Sequence, residues 1–193
     1  MSMTSEPSAY HRKKQPELVR RNLIEQAIRL MAEEGLHAVT VQAVSDVAGV
    51  SKGGFMHHFS SKHALVEAAF AELLAALDAD LAARMAADPE PYGAFTRAYI
   101  QSVFELEQEA PGNPWAVLSI ATLSDARLRT VWTEWYTQKL AEHHQTDSDL
   151  RLTLLRLAAD GVWLSDLVNM VIEERTALHE YLIRGTYPKV ENV

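Results

Sequence analysis

The sequence predicts an all-α fold, and three observations predict it. Apolar residues recur every three to four positions, at Leu23, Ala27, Leu30 and Met31 in one stretch and at Leu65, Ala69, Leu73, Ala76 and Leu77 in another. That spacing stacks side chains on one helical face. No segment alternates apolar and polar residues for long, as a half-buried strand would. Gly35, Gly49, Pro89, Pro91, Pro111, Gly112 and Pro114 fall between the periodic stretches and divide the chain into helices with short connectors.

The helices follow in order. The first is expected from about Glu17 to Glu34, with Pro16 at its entry and Gly35 as the left-handed residue that turns the chain. A short one follows from Val41 to Ala48, with Thr40 placed to accept from the free N–H groups of its first turn and Gly49 to end it. Ser51 caps a helix of barely two turns, Lys52 to Phe59, and Ser60 or Ser61 caps a much longer one from Lys62 to about Ala87, closed by Pro89 and Pro91. Further helices are expected near Tyr92 to Gln108, Pro114 to Leu123, Asp125 to His144, Asp149 to Ile172, and from Glu173 or Thr176 to Arg184. The segment Leu150 to Ile172 is apolar on more than one face, so it is either a central core helix or an oligomer interface.

The 193 residues are 48% apolar and 23% charged, enough to bury a core. There is no cysteine, which excludes disulfides, thiolate-ligated metals and cysteine nucleophiles and suits a cytoplasmic setting. The longest apolar run is five residues, Leu73 to Leu77, far short of the ~20 that cross a bilayer, so no membrane partner is expected. Residues 1–15 are polar and read as a flexible basic arm carrying Arg12, Lys13 and Lys14. Such an arm could follow a phosphate backbone or enter a minor groove; a solubilising tail is the plain alternative. The net charge of −8 would by itself argue against a nucleic-acid partner. Its distribution reverses the inference: residues 1–65 carry eight Lys/Arg against six Asp/Glu, residues 66–193 ten against twenty.

Thr40 to Phe59 is a short helix, a glycine-containing turn and another short helix, the helix-turn-helix pattern. Val44, Val47, Ala48 and Val50 supply small apolar surface for packing, and Phe55 and Phe59 point to the same core. Lys52, Gly53, Gly54, Met56 and His57 have little reason to be there for packing. A helix fits the major groove and offers its first turn to base edges; Lys52 can donate to guanine O6 and N7. Gly53 and Gly54 let the backbone approach closely, at a cost in helix stability. The adjacent helix starts, Thr40 with Gln42 and Ser61 with Lys62, are candidate phosphate grips, and the cap residue Ser51 is counted with the DNA-binding set.

These residues, continuing through His57-His58-Phe59-Ser60-Ser61-Lys62-His63-Ala64-Leu65, resemble the DNA-binding domain of the TetR family of transcriptional regulators. The resemblance covers about residues 17 to 65 and rests on the Thr before the second helix, the Ala-Gly-Val-Ser turn, the His-Phe end of the third helix and the Lys opening the fourth. The sequence departs from the family at Met56, where a Tyr whose hydroxyl touches phosphate is usual. The resemblance implies a DNA-binding domain over residues 16–61 and a ligand-binding and dimerisation domain over 62–193. It implies a homodimer on a palindromic operator of double-stranded DNA, with half-sites ~34 Å apart. It further implies that a small molecule releases the DNA, with repression the usual mode, and that the last two long helices form a four-helix bundle across the two-fold axis, where Ala158, Ala159 and Gly161 allow close approach.

Tyr92, Phe95, Tyr99, Trp115, Trp132, Trp135, Tyr136 and Trp163 all lie in the C-terminal part. Aromatics line small-molecule pockets, so an apolar or aromatic effector is expected, although most Trp residues on helices serve a core or an interface. No cofactor or metal is expected. His57-His58 and His143-His144 are sequence neighbours that diverge on a helix, and His179-Glu180-Tyr181-Leu182-Ile183 has Ile where a zinc helix needs its second His. With no glycine-rich phosphate loop and no G-x-S-x-G elbow, no enzymatic activity is expected. The competing reading is a helical small-molecule binding protein without specific DNA binding.

Overall fold

The computed structural model describes residues 9–106 and 113–188. Among them are ten helices and no strand: α1 (Ala9–Glu34), α2 (Val41–Ala48), α3 (Lys52–His58), α4 (Lys62–Ala87), α5 (Ala94–Glu105), α6 (Pro114–Ser124), α7 (Ala126–Glu142), α8 (His144–Asp147), α9 (Leu150–Leu167) and α10 (Arg175–Gly185). The chain forms two compact units. Among the described residues, one holds residues 9–72 together with α6 and the start of α7 through Leu128; the other takes α4 from Leu73, α5, and residues 129–188.

In the first unit the α1 stripe Leu23, Ala27, Leu30 and Met31 is buried, as its spacing predicts, and so are Val39, Val44, Phe55, Phe59, Leu65, Ala69 and Phe70. Leu118 and Ala121 of α6 are buried too, and α6 packs along α1. Trp115 lies edge-on to Phe70, ring centroids 6.2 Å apart. In the second unit the core is built from α5, whose Phe95, Ala98, Tyr99, Ile100 and Val103 meet Leu81, Ala159, Val162 and Leu182.

Four expectations are corrected. Helix α1 begins at Ala9, not near Glu17, and Pro16 lies inside it; having no N–H, Pro16 cannot bond the Arg12 carbonyl one turn back. Of the proposed arm, residues 1–8 lie outside the described residues. The expected helix to Ile172 ends at Leu167, because Val168 and Met170 turn their N–H groups back to the carbonyls of Leu164 and Ser165 while Asn169 adopts φ +56°. The helix expected through His144 breaks after Glu142, with α8 as a separate turn. Val47 is exposed, so only Val44 of the expected small apolar set is fully buried.

Candidate functional site

The turn between α2 and α3 is closed by hydrogen bonds that its residue types dictate. Gly49 sits at φ +66°, and its N–H and that of Val50 return to the carbonyls of Asp46 (3.2 Å) and Ser45 (2.9 Å). This double closure requires a left-handed residue, where a Cβ is strained. Thr40 Oγ1 accepts from the Ala43 N–H at 3.0 Å and Ser51 Oγ from the Gly54 N–H at 3.1 Å, which caps both helices. Ser61, the second of the two candidate caps, does the same for α4 through the Ala64 N–H at 3.1 Å. Asn22 of α1 donates to the Ala48 carbonyl at 3.0 Å and so ties the end of α2 to the scaffold.

One edge of α3 is sunk in the unit. Phe55 is fully buried, the ring of Phe59 lies 6.0 Å from it, and the Arg20 guanidinium sits 5.1 Å over Phe59. The opposite edge is bare: Ser51, Lys52, Gly53, Met56 and His57 are exposed, Met56 to 47%. Positions 52, 53, 56 and 57 share one helical face by their spacing. His58 turns inward by comparison; burial, reinforced by the neighbouring His57 and Arg20 charges, lowers its pKa and favours the neutral ring.

The two glycines differ in what they serve. A Cβ on Gly54 would lie 2.7 Å from Val50 Cγ1, so its bareness belongs to the packing of the turn. A Cβ on Gly53 would meet only Ser51 Oγ, at 3.9 Å, and nothing inside the unit demands glycine there. Two expected phosphate grips have partners already. Lys62 Nζ donates to the Leu36 carbonyl at 3.0 Å and Gln42 Nε2 to Asp46 Oδ1 at 2.7 Å. The ammonium keeps further donors beyond that bond.

The structure scatters the eight expected ligand residues. Trp115 belongs to the first unit and the other seven to the second. Phe95 is fully buried with its ring stacked on His143 at 4.9 Å, a core role. Tyr92 lies elsewhere on the second unit, its hydroxyl donating to Asp149 Oδ2 at 2.9 Å beside a shallow cleft of about 360 Å³ that Arg151 and Pro188 also line. Trp163 packs against the α5 core. Tyr99, Trp132, Trp135 and Tyr136 do come together: Trp132 lies 5.0 Å from Trp135 and 5.9 Å from Tyr136, and Tyr99 5.9 Å from Tyr136.

Sequence reading missed the polar groups that border this cluster. Tyr99 Oη donates to Asp160 Oδ1 at 2.5 Å, and Trp135 Nε1 donates to Asp78 Oδ1 at 2.9 Å. Burial raises the Asp160 carboxyl against the opposing pull of the Tyr99 hydroxyl and the Arg156 charge, and burial likewise raises the Tyr136 phenol. An acid one turn beyond Arg156 in an apolar helix was the available signal. Among the described residues, no three His, Asp or Glu gather as a metal site, and no helix is long and apolar enough to cross a membrane.

Comparison with known proteins matches residues 23–69 to the family described as bacterial regulatory proteins, tetR family, and residues 93–187 to the tetracyclin repressor-like C-terminal domain. The HTH-type transcriptional regulator BetI of Vibrio campbellii is 25% identical over 167 residues, 80% of this chain and 83% of that protein. The HTH-type transcriptional repressor KstR2 of Rhodococcus jostii is 44% identical over 48 residues, 25% of this chain and 24% of the repressor. The chain thus spans about a quarter of KstR2, and 37% of the BetI of Vibrio parahaemolyticus. A solved structure of the multidrug binding protein EbrR complexed with malachite green shares the fold, with a TM-score of 0.69 at 22% identity over 88% of this chain and 98% of that one.

Proposed function

The chain belongs to the TetR family of DNA-binding transcriptional regulators, not of enzymes, and from that premise we propose that it is a repressor acting as a dimer on a palindromic operator and released by a small molecule. The observation that carries this reading is the division of α3 into a buried edge, Phe55, and a bare edge, Lys52, Gly53, Met56 and His57. A two-turn helix held from behind and stripped in front is shaped to enter a major groove. Lys52 donates to guanine edges, the bare backbone at Gly53 allows close approach, and Met56 offers apolar contact to a thymine methyl group in place of the family's tyrosine hydroxyl. Thr40, Gln42, Ser51, Gly54 and Lys62 position the reading helix on flanking phosphates or brace it.

The dimer reading is supported by α9, whose outer edge exposes Leu154 (60%), Leu157 (58%) and Leu164 (55%) while Leu152, Ala159 and Val162 fill the core. Exposed Ala158 and Gly161 leave that edge open to close approach, whereas Ala159 belongs to the core. Tyr181 of α10 is exposed as well. A seam of leucines at helical spacing is what a second copy would cover by a two-fold bundle. Release by a small molecule is supported by the aromatic cluster of α5 and α7, and EbrR, of the same fold, is described as a multidrug binding protein. Ligand shifts the DNA-binding equilibrium only by its difference in affinity for the two states.

Titration of the full chain against fragments of its source genome at two salt concentrations tests the reading. Saturable, sequence-selective binding that weakens steeply with salt is the expected outcome. Equal, weak affinity for all fragments would leave a helical binding protein without an operator.

A further inference from the structure

Resting on the small-molecule reading above, we infer that the effector is an organic cation, held by its charge against Asp160 and by its body among the rings of Tyr99, Trp132, Trp135 and Tyr136. Three observations meet at this place. The rings form a contiguous aromatic surface across α5 and α7, with Trp132, Trp135 and Tyr136 each only partly buried, so part of that surface faces solvent. Aromatic faces attract cations, and attract them more strongly where water is excluded. The four side chains together supply large apolar contact with few polar atoms, the composition of a small-molecule site.

Asp160 supplies the complementary charge. It is mostly withdrawn from water, accepts from the Tyr99 hydroxyl at 2.5 Å, and among the described residues has no Lys, Arg or His nitrogen within 4 Å. A withdrawn carboxylate is ordinarily paired. Arg156, one helical turn away, acts on Asp160 through its charge, but its hydrogen bonds go elsewhere: its Nη1 donates to Thr96 Oγ1 (2.6 Å) and the Asp147 carbonyl (3.1 Å), and its Nη2 to Thr153 Oγ1 (3.1 Å). The second carboxylate beside the rings, Asp78, is already met by Lys139 Nζ at 3.3 Å and by the Trp135 indole N–H. Asp160 is therefore the acid assigned to the ligand, with Tyr99 holding one of its two oxygens.

The test pairs choline with 3,3-dimethylbutan-1-ol, which has the same shape with carbon in place of the quaternary nitrogen. Benzyltrimethylammonium serves as a larger cation. Binding to the full chain is read by tryptophan fluorescence and by release of bound operator DNA. The cations are expected to bind at least about tenfold tighter than the neutral alcohol. Asp160→Asn keeps the shape and the Tyr99 hydrogen bond while deleting the charge, and is expected to erase that preference without changing affinity for the alcohol. Trp132→Leu, a partly exposed position, is the second variant should the first fail to fold, and is expected to weaken the cations more than the alcohol and so to narrow the preference. Equal affinity for cation and alcohol, no cation binding at all, or an unchanged preference in both variants overturns the inference. Operator release by neutral compounds alone would overturn the cation and keep the switch. Selective DNA binding that no compound of either kind relieves would overturn both.

Discussion

At the scale of single residues, the recognition helix separates side chains that could be confused in sequence. Lys52 is exposed on the bare face, whereas Lys62 already braces the Leu36 carbonyl. Lys52→Ala is expected to weaken operator binding by about 1–3 kcal/mol and to relax base choice at the position it reads, with folding unchanged. Lys62→Ala is expected to weaken all DNA sequences alike and also to lower stability by about 1 kcal/mol, because the carbonyl loses its donor. Fluorescence anisotropy on operator variants, with thermal melts alongside, would show it; identical behaviour of the two variants would remove the assignment. The glycines make a sharper pair. Gly53→Ala has open space and is expected to raise stability by about 0.5–1 kcal/mol while weakening DNA binding by holding the backbone off the groove. Gly54→Ala drives a Cβ to 2.7 Å from Val50 Cγ1 and is expected to cost about 1–3 kcal/mol of folding stability. A Gly53→Ala protein that binds DNA as well as the parent would remove the close-approach role.

Elements were legible where a local rule governs them and illegible where a distant partner does. The α2–α3 turn could be read because Thr40, Gly49 and Ser51 each satisfy a requirement set within a few residues of themselves. The end of α9 could not, since Val168 to Ile172 continues an apolar pattern and only the returning bonds to Leu164 and Ser165 break it. Nor could the ligand residues: spacing cannot tell that Phe95 stacks inside the core while Trp132, on another helix, stays half-open. Arg97 is the clearest case of a distant determinant, an arginine in a helix whose side chain is 2% exposed. Its Nε donates to Asp88 Oδ2 at 2.6 Å, its Nη1 to the Tyr92 carbonyl at 2.9 Å and to Thr186 Oγ1 at 3.2 Å, and its Nη2 to the Glu90 carbonyl. One side chain thereby fastens the α4–α5 connection to the end of α10. Arg97→Met is expected to cost about 3–5 kcal/mol, since it strands a mostly buried carboxylate along with the carbonyls. Burial opposes the charge on Asp88, but the Arg97 guanidinium and the Glu90 N–H overcome it and hold the carboxyl below its ordinary value. A depressed folded pKa contributes stability above the unfolded value of about 3.9 and loses it as pH falls through the folded value. The gap in melting temperature between the parent and Asp88→Asn should therefore be full at pH 7 and shrink below about pH 4. A gap independent of pH would show that the ion pair is not its source.

For the whole molecule, the charge that argues against nucleic acid and the face that argues for it coexist because they lie in different parts of the chain. Residues 1–65 carry a net +2 and the remainder −10, so one reading head has little electrostatic attraction to lend and a single bare helix contributes few base contacts. On the proposed dimer reading, affinity then depends on two heads engaging one duplex, since joining two sites raises overall binding by about 10²–10⁴ without any new contact. The device that joins them is proposed to be the outer edge of α9, and it can be removed without touching the core. Leu157 and Leu164 lie seven residues apart on that edge, both exposed, while Leu152, Ala159 and Val162 hold the inner edge in place. Leu157→Glu combined with Leu164→Glu puts two charges where a second copy would have to bury them, which a dimer cannot tolerate unpaired. The double variant is expected to keep its helical circular dichroism and its melting temperature at high dilution, to sediment as a monomer, and to bind a full operator no better than a half-site. The parent should prefer the full operator by the factor above. A double variant that still sediments as a dimer, or that keeps full operator affinity, would place the joining surface elsewhere and leave the exposed leucines of α9 without a role.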